Sequence, residues 1–314
     1  MKLVSAYSLL LFFLLTSQAI CFAENILNIY DYDTNVTSMS RRKILSTPRF
    51  NIFSGKLKAQ DYQHGNRPYQ IDYDLIVSKM KRKTPLVVQI PSLGVREDSQ
   101  FINWYVGRYF AKKGFSSLIV YPNSHPVAKQ RPVVDLFGHI VRNTVATRQA
   151  IDFLETNMPQ IDTENMVAFG ISMGGVRMPH LLASEPRIKK GTIIIGGDHL
   201  LDILANSLVP DVVKYRKCQM LLLDTKTITE FKNYLKQLPV HDAKHLAPYI
   251  GRDRVQMVIA LFDAMVPTYN QFTLWRTLGR PEIMALPTGH TSIAPFIKRI
   301  LNFSYQGYKK VLDL

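Results

Sequence analysis

The chain has 314 residues, 46% of them hydrophobic, enough to build a sizeable core as one large domain or two, which argues against a disordered chain. Its 39 basic and 24 acidic residues give a net charge of +15. The basic residues are scattered apart from "SRRK" (40–43) and "SKMKRK" (78–83), with no accompanying motif, so no nucleic-acid partner is expected and a solvated surface is the better reading. Weak association with anionic envelope surfaces stays open.

Residues 1–23 read as a cleavable export signal. Lys2 supplies the positive start, "LLLFFLL" the apolar centre, and Cys21 and Ala23 the small residues before a cut near Glu24. The apolar run is shorter than the roughly 20 residues a spanning helix needs. Ile20 is not the small residue that a lipid anchor at Cys21 requires. Cleavage removes Lys2, lowering the charge by one to +14, and leaves Cys218 without an intrachain partner. The expected location is periplasmic or extracellular.

From residue 50 the pattern becomes regular. "FNIFSGKLKA" and "PYQIDYDLIV" flank the turn-rich "QHGNRP" and read as a hairpin. Apolar runs then alternate with helical stretches: "PLVVQIP", "QFINWYVGRYFAKKG", "SSLIVYP", and a helix from about Leu136 to Leu154. "MVAFG", "GTIIIGG", "RVQMVIALF" and "EIMALP" continue the strands, with helices after Ser172, around "YNQFTLWRTLG" and around "IAPFIKRIL". This alternation predicts an α/β chain with a mainly parallel sheet covered on both faces by helices, one domain over 24–314. Residues 198–250 break the rhythm with helical patterns alone, and are expected to be an inserted helical cap.

Chemistry concentrates at strand ends. "NMVAFGISMGG" (165–175) runs from strand through Gly170, Ser172 and Gly174 into a helix. In such a G-x-S-x-G turn the small residues let a strained bend push the serine hydroxyl into the open. A serine needs a histidine to take its proton and a carboxylate to orient that histidine. Asp263 follows "VIALF" and His290 follows "IMALP", both at the carboxyl ends of strands, where parallel-sheet proteins gather ligands. Asp198, after "GTIIIGG", competes for the acid role. His64, His125, His139, His180, His199, His241 and His245 show no metal-ligand spacing, and no metal or cofactor is expected.

With these residues in place, the chain resembles the α/β-hydrolase superfamily from about residue 50 to 302, in particular serine esterases of the dienelactone hydrolase and prolyl-oligopeptidase-like type. "RQAIDFLETNMPQIDTENMVAFGISMGG", "DAMVP" and "PTGHTS" are similar to their nucleophile, acid and histidine segments. The resemblance implies an α/β-hydrolase fold, Ser172 as nucleophile, Asp263 as acid and His290 as base, acting on a small-molecule ester. It also implies an oxyanion hole using the backbone N–H of Met173 and a second donor at Ser92 or Leu93. "IPSLG" stands where many relatives carry a His-Gly pair, so that second choice stays open. Peptidase, thioesterase and acyltransferase chemistry use the same constellation, a silent binding protein could keep it, and the oligomeric state is unknown.

Overall fold

A computed structural model describes residues 26–32, 34–61, 67–238 and 240–314. The export signal and His64 lie outside the described residues. Nine strands form one sheet: β1 (Thr37–Ser46), β2 (Phe50–Asp61), β3 (Arg67–Ser78), β4 (Thr84–Ile90), β5 (Ser116–Tyr121), β6 (Ile161–Ile171), β7 (Ile188–Ile194), β8 (Val255–Ala260) and β9 (Glu282–Leu286). Their order across the sheet is β1-β2-β3-β5-β4-β6-β7-β8-β9. The first three strands and β5 pair antiparallel, and everything from β5 to β9 is parallel.

The hairpin and the alternation expected from the sequence are present. Strands β4, β5 and β8 are buried at every residue, which is why they read as unbroken apolar runs and not as alternating ones. Strand β1 escapes the sequence reading because it has no apolar face: it is an exposed edge strand that carries Arg41, Arg42 and Lys43. Charge on an edge strand discourages pairing with another chain.

Helices α1 (Arg96–Ala111), α2 (Leu136–Asn157) and α3 (Met173–Ser184) follow β4, β5 and β6; α8 (Thr268–Thr277) and α9 (Ile297–Val311) follow β8 and β9. On one face of the sheet, Phe110 of α1 and Ile300, Leu301 and Tyr308 of α9 pack against Val167, Phe169 and Val258. On the other, Ile151 and Leu154 of α2, Leu181 of α3 and Leu274 of α8 pack against Val88, Met166 and Ala168. Each of these buried large side chains contributes on the order of 1.5–3 kcal/mol.

Between β7 and β8 the described residues form only helices: α4 (Leu200–Asn206), α5 (Pro210–Leu222), α6 (Ile228–Leu235) and α7 (Ala243–Leu246), with short 3₁₀ turns after α7. The two ends of this segment are tied together. Asp198 Oδ1 accepts the N–H groups of His199 at 2.8 Å and Ala243 at 3.1 Å, and Asp242 Oδ1 accepts that of Leu200 at 3.1 Å. Leu204, Val212, Tyr215, Phe231 and Leu235 of the segment share an apolar cluster with Leu136, Val176 and Val266, and with the partly buried Leu93 and Met173. Among the described residues no helix is long and apolar enough to cross a membrane.

Candidate catalytic site

Strand β6 runs straight into α3, and Ser172 stands at the junction with φ 57 and ψ −120. Such a conformation costs a non-glycine residue about 1–3 kcal/mol and persists only where its surroundings hold it. Here the Ser172 N–H donates to the Ile194 carbonyl at 2.9 Å, and the Ser172 carbonyl accepts from Val176 at 3.0 Å. The flanking glycines are there for close approach. A Cβ on Gly170 would lie 2.6 Å from the Gly174 carbonyl oxygen, and one on Gly174 would collide with the carbonyl oxygen of Ile90. The turn is thus pressed against the loop that leaves β4, the segment with Ser92 and Leu93.

The three residues singled out in the sequence converge, although 91 residues separate Ser172 from Asp263 and 27 more separate Asp263 from His290. His290 Nδ1 lies 2.8 Å from Asp263 Oδ2, and its Nε2 lies 2.9 Å from Ser172 Oγ. A carboxylate can only accept, so Nδ1 carries the ring proton and Nε2 is left to accept the serine hydroxyl. Asp263 has no exposed side-chain surface. Its Oδ1 accepts the N–H groups of Met265 at 2.8 Å and Val266 at 3.0 Å, and its Oδ2 also accepts the Gln271 amide at 2.9 Å. Three donors besides the imidazole therefore hold the buried carboxylate in one orientation, which in turn orients the imidazole.

Asp198 does not join them. It lies at the root of the helical segment, with its second oxygen accepting the Thr277 hydroxyl at 3.0 Å. Among the described residues Asp198, His199 and Asp242 are close enough together to hold a cation. However, Asp198 spends both oxygens on protein donors, and Asp242 turns Oδ1 to the Leu200 N–H and Oδ2 to His199 Nδ1, 3.3 Å away. The cluster is built as an anchor for the segment.

Two neighbours of the site carry no pattern that the sequence reading used. Gln271, on α8, reaches Asp263 with its amide N–H while its own oxygen accepts the Ala260 N–H at 3.0 Å. Arg177, one turn beyond Ser172, is buried and donates to the carbonyl oxygen of Pro91, so it tethers the loop after β4 to α3. Burial pushes its guanidinium down to about 10, leaving it charged at neutral pH. An arginine inside the mostly apolar "GGVRMPHLL" is the one trace of it in the sequence.

No family model and no curated protein matches the sequence. Solved structures do match. The acetyl xylan esterase 1 of a Thermoanaerobacterium species superposes with a TM-score of 0.62 at 18% identity, over 90% of this chain and 93% of that one. An acetyl xylan esterase from a Paenibacillus species gives 0.61 at 14% identity, over 91% and 93%. An alpha/beta hydrolase from a Penicillium species gives 0.56 at 14% identity, over 83% and 99%. The chain has the α/β-hydrolase fold. In this fold the strand-to-helix turn at Ser172 and the loops after β8 and β9 all open at the carboxyl edge of the sheet, which is why separated residues meet there.

Proposed function

We propose that the chain is an exported serine hydrolase acting on carboxylic esters of small molecules. The observation that carries this reading is the continuous relay from Ser172 Oγ through His290 to the buried Asp263. Ser172 Oγ attacks the ester carbonyl as His290 Nε2 takes its proton. The C–O bond of the tetrahedral intermediate then breaks, and the same nitrogen returns the proton to the departing alcohol. Water, activated by His290, releases the acid and restores the serine. The backbone N–H of Met173 at the start of α3, with that of Leu93 or Ser92, is assigned to the negative oxygen of the intermediate, a stabilisation worth roughly 3–4 kcal/mol per donor. The esterases among the structural neighbours support an ester over a peptide substrate.

The helical segment at 198–250 is proposed as a cap that selects the acyl group, because its apolar cluster includes Leu93 and Met173 beside the nucleophile. Leu204→Ala is expected to change the preference between short and long acyl chains by about 1–3 kcal/mol while a small activated ester is still turned over. Export rests on the first 23 residues, and mass spectrometry of the secreted product should find an amino terminus near Glu24. The activity itself is tested with a serine-directed fluorophosphonate probe. Labelling should map to Ser172 and vanish in Ser172→Ala, together with a drop of about 10³ to 10⁶ in ester turnover. Undiminished turnover by that variant refutes the reading.

A further inference from the structure

Basic residues that look scattered along the chain are gathered by the fold at one edge of the sheet. The turn between β1 and β2 carries Arg49. The turn after β3 carries Lys79, Lys81, Arg82 and Lys83, and the end of α1 with the turn into β5 carries Arg108, Lys112 and Lys113. Hydrogen bonds join the three segments. The Lys79 N–H donates to the Arg49 carbonyl at 2.9 Å, Lys79 Nζ to the Thr47 carbonyl at 2.6 Å, and Ser78 Oγ to the Ala111 carbonyl at 3.1 Å. Residues 46–50, 78–84 and 108–116 include no aspartate or glutamate. Among the described residues none of these eight cations is in an ion pair, and all but the half-buried Arg108 are exposed. Where the edge continues into β6, Asp162 and Glu164 end the run, and Asp162 is turned to the N–H groups of Glu164 and Asn165, both at 3.2 Å.

Like charges held in joined turns repel one another, and an anionic partner relieves that repulsion. The apolar side chains among them say which kind. Met80 stands 52% exposed between Lys79 and Lys81, and Leu45 is 38% exposed. Leu45, Pro48 and Phe50 line an open groove of about 520 Å³ together with Arg49, Arg108 and Lys112. A soluble polyanion engages the cations alone. A bilayer surface engages both kinds of side chain, because lipid phosphates meet the cations while the headgroup layer receives the thioether and the leucine.

We propose that this edge docks the protein on an anionic phospholipid surface. Ser172 then lies on the far side of the sheet. Strand β4 begins at Thr84, next to Lys83, and ends at Ile90, paired with Gly170, so the length of a seven-residue strand, roughly 20 Å, separates the basic edge from the serine turn. The docking surface is independent of the hydrolase reading.

The test is sedimentation of the purified protein with mixed phosphatidylglycerol and phosphatidylcholine vesicles, against vesicles of phosphatidylcholine alone, and calorimetry with soluble polygalacturonate. Binding to the anionic vesicles is expected, and it should weaken as sodium chloride is raised. Lys81→Gln/Arg82→Gln/Lys83→Gln should lower the partition coefficient on the order of 100-fold, and Met80→Ser by about threefold to tenfold. Lys214→Gln/Lys217→Gln/Lys226→Gln removes as many exposed charges from the 198–250 segment and should bind within about twofold of the native chain. Ser172→Ala should also bind like the native chain, so failure of docking and failure of the hydrolase reading are distinguishable. Equal partition onto phosphatidylcholine alone, an equal loss in the 214/217/226 variant, or undiminished binding by the 81/82/83 variant or by Met80→Ser would each overturn the proposal. So would affinity for polygalacturonate without affinity for vesicles.

Discussion

The loops after β7 and β8 present nearly the same local design with different outcomes. The two strands are neighbours in the sheet, and each is followed within a few residues by an aspartate that the fold buries, Asp198 and Asp263. In both, Oδ1 accepts two backbone N–H groups. Only the second oxygen differs. That of Asp198 takes a threonine hydroxyl, and that of Asp263 takes the Gln271 amide and the His290 imidazole. Burial and backbone capping make a rigid carboxylate. Its role follows from what reaches the remaining oxygen, and β9, which delivers His290, pairs with β8 and not with β7.

The sharpest way to break this comparison is to neutralise each carboxylate in turn. Asp263→Asn should lower ester turnover by up to about 10⁴, because the amide no longer selects the correct imidazole tautomer. Asp198→Asn should keep turnover within a few-fold and instead lose about 1–3 kcal/mol of stability, since one buried amide group then faces donors only. Equal turnover losses would erase the distinction.

Acid separates the site from the scaffold behind it. His180 on α3 is pushed down to about 3 and His139 to about 2, in both cases chiefly by burial. In the unfolded chain a histidine takes its proton near roughly pH 6.5. These buried neutral rings therefore contribute their full stability above that pH, and it is lost on acidification towards their folded values, at about 1.4 kcal/mol per pH unit for each ring. Denaturant midpoints measured from pH 7 to pH 4 should show the slope, and His180→Asn should reduce it. A slope unchanged in that variant would exclude His180 as its source.

Gln271→Leu sharpens the comparison at the active end. Removing one donor from Asp263 Oδ2 loosens the carboxylate, with an expected loss of about 10- to 100-fold in kcat at unchanged KM. A fall in melting temperature with kcat intact would make Gln271 a packing residue only. The smallest effect belongs to the structural end. Thr277→Val removes the hydroxyl from Asp198 Oδ2 and should cost about 1–2 kcal/mol by denaturant midpoint without changing turnover. A turnover defect there would link the anchor to the chemistry.

Much of the architecture is legible in the chain because burial on both faces writes itself as apolar runs, from "PLVVQIP" to "RVQMVIALF". Ser172 is legible for a different reason: the bend needs small residues at Gly170 and Gly174, whatever the rest of the fold does. Strand β1 is not, since a strand exposed along nearly its whole length keeps no alternation of apolar and polar positions. Gln271 and Arg177 are not either. A single polar residue in a helix acquires its partner from another element, and helical spacing cannot say which.

The sequence by itself determined the order of strands and helices from residue 50 onward, the position of the strained serine and the fact that two aspartates and a histidine close strands downstream of it. These are local matters, set by side-chain period, backbone sterics and chain order. Which aspartate meets His290 was decided only in three dimensions, because Asp198 and Asp263 carry similar local signals and differ in which strand pairs with β9.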